Sequence, residues 1–247
     1  MGVSALGQRA DLAGWIYDVV FVFAGIATYA AYVRIAERRD VRELSLRGSL
    51  PETGGGFLGG ILLFSIVIAV LAAGGHYRVL RIEDPSALLR APVPWFAGAI
   101  MEELLFRGFI FGVLRDVAGL AIAIAISALL FGLVHAANPG ATGFSCVAIA
   151  LEAGVLLAVA YAATNRLWLP IGLHAGWNYA EGTIFGTAVS GGGVKTAFVH
   201  SALSGSPLLT GGAFGPEASI VAIPVCLAAA LALALKVKQQ RFAAATN

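Results

Sequence analysis

The sequence predicts an all-α fold: a polytopic transmembrane bundle of about seven spans, with room for an eighth. Two observations carry this reading. Of 247 residues, 59% are hydrophobic and only 12% charged, and mean hydropathy is +0.85, whereas about a quarter of a soluble domain's residues are charged. Apolar runs long enough to cross a hydrocarbon layer recur at residues 15–32, 57–73, 93–113, 119–134, 144–163, 167–185 and 218–235. A third observation agrees with both. Gly fills 31 positions, well above the usual ~7%, and small residues let helix backbones approach in lipid. Small-xxx-small spacing occurs at Gly55/Gly59, Gly56/Gly60, Gly108/Gly112 and Gly172/Gly176.

Taken in order, the first run contains Asp18 and ends in Arg34, Arg38 and Arg39. It reads as a retained span with a stop-transfer boundary, not a cleavable leader. The start, Met1 to Leu6, lacks Ser or Thr at position six, so myristoylation is unsupported. Residues 34–56 carry mixed charge and end in Pro51-Glu-Thr-Gly-Gly-Gly, which predicts a solvated connector; residues 76–94 read the same way, with Pro85, Pro92 and Pro94 shaping entry to the third span. The sixth run opens near Pro170, where a missing N–H costs least. A hairpin or re-entrant piece has room in the Gly-rich residues 187–215. Glu217 follows Pro216 at a helix start, where an acidic side chain suits capping. His76 and His200 fall in loops and are expected to be solvated.

Alternating the runs across the membrane puts Arg34, Arg38, Arg39, Arg42, Arg47, Arg115, Arg166, Lys236, Lys238 and Arg241 on one side. Arg9, Arg78, Arg81, Arg90 and Lys195 fall on the other. The richer side is expected to be cytoplasmic, with the N-terminus outside and the C-terminus inside. A net charge of +2 and the lack of a basic tract interleaved with aromatics argue against nucleic acid. Cys146 and Cys226 are isolated in apolar runs and form neither a disulfide framework nor a CxxC site. Both read as small buried hydrophobes.

The third run is the most informative. Glu102, Glu103 and Arg107 interrupt it, and three ionisable groups near a bilayer centre cost about 8 kcal/mol if uncompensated. Residues four apart share a helix face, so Arg107 lies over Glu103, and Glu102 is left for a water, a proton or a metal. The plain alternative is a Glu-Arg staple between spans. On the fourth run Phe131 and His135 share a face before Asn138-Pro139-Gly140, and on the sixth His174 and Asn178 do so beside Gly172 and Ala175. Each polar residue alone reads as an interhelical hydrogen bond. Three spans carrying such groups together point to a site. Asp18, Glu152 and Glu181 also lie within or at the ends of runs and are able to line a polar pocket.

The ordered set Glu102-Glu103-x-x-x-Arg107, Phe131-x-x-x-His135 and His174-x-x-x-Asn178, on separate spans, resembles the CPBP family, the CAAX protease and bacteriocin-processing family of intramembrane proteases. The resemblance covers most of residues 95–178, and residues 209–217 look like the C-terminal part of bacterial members. It implies that Glu102 and His135 activate a water for attack on a peptide carbonyl, that His174 and Asn178 stabilise the oxyanion, and that Glu103 and Arg107 brace the site. It also implies residues 1–92 as N-terminal spans and loops, and residues 93–247 as the catalytic bundle of a single membrane domain. The family is often called metalloprotease, which makes zinc a candidate cofactor and Glu102, His135 and His174 its candidate ligands. No HExxH helix is present, and a metal-free glutamate mechanism stays open. The expected partners are the lipid bilayer and a membrane-associated polypeptide substrate. Compact length and composition look bacterial, so the expected location is a bacterial plasma membrane.

Two rival classes use the same residues. One is a proton-coupled transporter or ion conduit with Glu102, His135 and His174 as relay; the other is a non-catalytic scaffold or immunity protein. Geometry also poses a problem. At about 1.5 Å per residue the run boundaries put Glu102, His135 and His174 at different depths, so either the spans break near Asn138-Pro139 and Pro170 or the boundaries are displaced.

Overall fold

The computed structural model describes residues 12–89, 92–194 and 197–245. Arg9, Arg90, Lys195 and the first six residues, used above for charge bias and acylation, lie outside them. Among the described residues, five helices are long and apolar enough to cross a membrane: Gly14–Ile35, Ser49–Ala73, Leu120–Ala137, Gly143–Thr164 and Ala222–Gln239. The chain is a multi-pass integral membrane protein.

Helix α1 (Leu12–Ile35) is followed by a 3-10 turn at Arg42–Leu44 and by α2 (Ser49–Ala73). Thus α2 begins inside the residues expected to be connector, because Gly48 turns the chain with φ of 77° and helix starts at once. The third predicted span is compound: α4 (Pro92–Glu103) runs through a π-helical segment, Leu104–Ile110, into α5 (Phe111–Ala118). It is preceded by β1 (Tyr77–Ile82) and the single turn α3 (Ser86–Leu89). Next come α6 (Leu120–Val134) and a 3-10 turn at His135–Ala137. The fifth span is α7 (Gly143–Ile149), a second π segment at Ala150–Gly154, and α8 (Val155–Thr164). The sixth is α9 (Trp168–Tyr179) closed by a third π segment, Ala180–Ile184. Charged residues in the third span, and shortness in the sixth, keep both below the threshold of a plain spanning helix.

Among the described residues no further span occupies 187–215. That stretch holds β2 (Val199–Leu203) and the turn α10 (Pro207–Thr210), ahead of a 3-10 turn at Pro216–Ala218 and the last helix, α11 (Ala222–Ala245). β2 pairs antiparallel with β1, with a bulge between Val79 and Arg81. The residues expected to be solvated connector thus form half of a small sheet. Its apolar, β-branched and aromatic residues favour strand, and the Tyr77 hydroxyl anchors it by donating to the Phe185 carbonyl at 2.9 Å. His200 lies on β2 and not in a loop, within 2.9 Å of Glu83, and His76 Nδ1 lies 2.8 Å from the Ser204 carbonyl.

The tightest packing in the bundle is between α2 and α9. A Cβ added at Gly60 would sit 2.2 Å from the Leu173 carbonyl oxygen, and one at Gly176 would sit 2.1 Å from that of Phe57. Gly56 and Gly172 are equally close to opposing backbone, so two of the four small-xxx-small pairs face each other. The other two serve differently: Gly108 makes room for the Tyr29 ring, whereas Gly55 and Gly112 face open space. Apolar packing completes the frame around Phe64, Val67, Leu71 and Trp177 on one side of α9, and around Phe111, Tyr161 and Ile171 on the other.

The loop between α1 and α2 is tied down by charge. Arg39 donates to both oxygens of Glu43 at 2.9 Å, and the Tyr29 hydroxyl donates to Glu43 as well. Burial alone raises the Glu43 carboxyl, but the bonds from Arg39 and Tyr29 outweigh it and hold the group below its ordinary value. Arg166, in the α8–α9 turn, reaches across to Glu52 and to the carbonyls of Ser45 and Arg47.

Candidate active site

Glu103 and Arg107 flank the entry to the first π segment and are completely buried. Arg107 Nη1 donates to Glu103 Oε1 at 2.9 Å, and Nη2 donates to the carbonyls of Ala153 and Gly154 at 3.3 and 3.2 Å. Both carbonyls belong to the second π segment, Ala150–Gly154. The guanidinium carbon also stands 4.4 Å from the centre of the Phe131 ring, a contact worth up to about 2 kcal/mol when desolvated. Arg107 therefore fastens the third span to the fourth and the fifth.

His174 faces both glutamates. Its Nδ1 lies 3.0 Å from Glu103 Oε1, and its Nε2 lies 3.9 Å from Glu102 Oε2. A carboxylate only accepts, so Nδ1 carries the proton and Nε2 is the atom turned toward Glu102. Glu102 Oε2 is itself buried without a hydrogen-bond partner among the described residues. His135 follows the same logic. Its Nδ1 sits 2.7 Å from the Phe131 carbonyl oxygen, which leaves Nε2 as the basic nitrogen of the neutral ring. Phe131 is the spacer between the imidazoles, with ring centroids 4.9 Å from His135 and 5.9 Å from His174.

His135, His174 and Asn178 line one cavity together with Phe131, and Glu102 adjoins it through His174. The expected difference in depth is overturned between the glutamates and His174, since Glu103 meets His174 directly. Three π segments and the break at His135–Ala137 void a uniform rise per residue. Pro170 causes no break; it lies in the first turn of α9.

The cavity has a second polar wall that single-residue reading undervalued. Glu152 and Glu217 line it, with Ser190 and Trp177. Glu217 Oε1 accepts from the Ser190 N–H at 2.5 Å and from its hydroxyl at 2.8 Å, so the side chain does not cap its own helix as expected. The Glu217 N–H donates to Glu181 Oε1 at 3.3 Å, and the Cys226 thiol donates to Glu152 Oε2 at 3.4 Å. Cys226 is accordingly more than a hydrophobe, and Cys146 is only half-buried. All three glutamates are at most 3% exposed. The available signal was the recurrence of Glu in three apolar runs, each separated widely in sequence from the others.

Among the described residues no three His, Cys, Asp or Glu side chains are grouped to hold a metal ion. Of the three candidate ligands, His135 and His174 each have Nδ1 engaged and Nε2 free, as a metal-ligating imidazole does, and Glu102 stands 3.9 Å from His174 Nε2.

Comparison with known proteins covers Glu102, Glu103, Arg107, His135, His174 and Asn178 in one stretch. Residues 84–180 match the family described as type II CAAX prenyl endopeptidase Rce1-like. A Bacillus subtilis protein named as a membrane peptidase, YdiL, is 36% identical over 77 residues, covering 31% of this chain and 29% of that protein. The membrane-embedded CAAX protease MroQ of Staphylococcus aureus is 25% identical over 128 residues, covering 46% of this chain and 49% of that protein. The matched stretches thus span less than half of each relative. No solved structure matches the chain.

Proposed function

We propose that this chain, whose residues 84–180 match the type II CAAX prenyl endopeptidase Rce1-like family, is an intramembrane endopeptidase that hydrolyses a peptide bond of a membrane-embedded or lipidated, CAAX-like polypeptide. The observation that carries the reading is the shared cavity. His135, His174 and Asn178 line it, and an unpartnered Glu102 oxygen adjoins it 3.9 Å from His174.

The chemistry follows from the free atoms. Glu102 takes one proton of a water, and the His135 Nε2 lone pair accepts a hydrogen bond from its other hydrogen, as the water oxygen attacks the peptide carbonyl. The new oxyanion takes hydrogen bonds from the Asn178 amide and from His174 in its imidazolium form, which carries a proton on Nε2 as well as Nδ1 before the water attacks, and both act strongly where water is largely excluded. The proton then returns to the departing amine. Glu103 and Arg107 do not touch the reacting atoms in this scheme; Glu103 orients His174 through Nδ1, and Arg107 holds Glu103.

The test uses purified protein in lipid nanodiscs and a library of apolar and prenylated peptides, with cleavage read by mass spectrometry. Glu102→Gln is expected to lower the rate by at least about 100-fold while leaving the thermal unfolding midpoint in place. Cleavage at the wild-type rate by Glu102→Gln refutes the assignment.

A further inference from the structure

His135 begins the turn that ends α6, and nothing within α6 secures the far side of that turn. The chain continues through Asn138, Pro139 and Gly140 and abuts a second turn brought from the other end of the sequence. Gly191 lies so close that an added Cβ would sit 1.8 Å from the Pro139 carbonyl oxygen, and a Cβ on Gly140 would lie 3.0 Å from that of Ala213. The Gly191 N–H donates to the Phe214 carbonyl at 2.7 Å. Phe214 in turn packs with Phe131 and Phe106.

That second turn is held in a costly conformation. Ser190 has φ of 49°, a left-handed geometry disfavoured for any residue with a Cβ. Two bonds to one oxygen keep it there, from the Ser190 N–H and hydroxyl to Glu217 Oε1. Glu217 is steadied by its own N–H on Glu181 Oε1, and Glu181 anchors the start of the same turn, because its carbonyl accepts from the Thr187 N–H at 3.0 Å and hydroxyl at 3.1 Å. His135, Ser190 and Glu217 all line the cavity.

We infer that Glu217 is a positioning residue for His135: through Ser190 it holds the 187–191 turn against Pro139 and so sets where the His135 imidazole stands in the cavity. The inference rests on the proposed reading of His135 as a hydrogen-bond acceptor for the water only for its consequence in catalysis. The structural link is testable without turnover.

The chain has four histidines, so ¹⁵N-histidine NMR of the full-length protein in nanodiscs resolves each ring after assignment by substitution. Glu217→Ala removes the acceptor and is expected to shift the His135 ring resonances while those of His76 and His200 stay in place. Glu217→Gln keeps a carbonyl oxygen for Ser190 and is expected to restore them. Gly191→Ala, which forces a methyl group against Pro139, is expected to move the same resonances if Glu217→Ala does not fold. His135 signals unchanged in Gly191→Ala, or in a folded Glu217→Ala, overturn the inference. With a cleavable peptide, Glu217→Ala is expected to lower kcat by about 10- to 100-fold with KM nearly unchanged, and Glu217→Gln to recover most of it. Absence of cleavage in wild type counts against the proposed activity and leaves the NMR outcome to decide this link.

Discussion

Two groups of buried glutamates, one meeting the cavity through His174 and one lining it with Glu152 and Glu217, solve the same problem differently. In the first, Glu103 is met by Arg107 at 2.9 Å and by His174 at 3.0 Å, so its charge has cationic or polarisable partners on two sides. In the second, Glu152, Glu181 and Glu217 receive only a thiol, a hydroxyl and backbone N–H groups in the bonds that hold them, with no Lys or Arg among those donors. The contrast separates two uses of a carboxylate in lipid. Paired with Arg107, it fixes three spans together and aims an imidazole. Held by neutral donors, it pins a turn.

Removing the cation breaks the first group hardest. Arg107→Met leaves Glu103 buried and uncompensated, and is expected to cost about 3–5 kcal/mol, read as a large loss of unfolding midpoint or of folded yield in detergent. The glycine contact that seats α9, and with it His174, comes next. Gly176→Ala puts a methyl group on the Phe57 carbonyl and is expected to cost about 1–3 kcal/mol, with a matched loss of activity. The second group should be the more forgiving. Glu181→Gln keeps the oxygen that accepts from the Glu217 N–H, so its effect on the unfolding midpoint is expected to stay within about 1 kcal/mol. A loss as large as that of Arg107→Met would erase the distinction between the two groups.

The smallest effect concerns Glu43, a carboxylate outside the spans and reached by solvent-facing Arg39. Its folded value is held below the ordinary 4.5. Its contribution to stability is therefore complete above the unfolded value and is lost as pH falls through the lower folded value. Unfolding midpoints of wild type and Glu43→Gln are expected to differ at pH 7 and to converge as pH drops below about 4. A constant difference across that range would show that the group does not titrate as described.

The spans were legible because lipid tolerates few alternatives to long apolar helices. The first glutamate group was legible for the same reason: Glu102, Glu103 and Arg107 stand out when everything around them is apolar. The sheet was not. β1 is six residues of mixed Arg and aliphatic character, and its partner lies more than a hundred residues downstream, so no local pattern announces the pairing. The second glutamate group was visible only as separate residues, since Glu152, Glu181 and Glu217 come from three elements that only the folded chain brings together. The wide turns were also hidden, because a π segment has no composition of its own.

Those wide turns carry a consequence for chain length. Each places one residue more in a turn than α-helix does, so deleting a single amino acid within Leu104–Ile110 would let the helix close into regular geometry with the helices on either side still in phase. A deletion among Leu104–Phe106 would at the same time cut the Glu103–Arg107 spacing from four to three, and the pair that aims His174 would have to be remade on an unwidened turn. A shortened homologue of this kind would keep its spans aligned and lose the spacing of the motif between them.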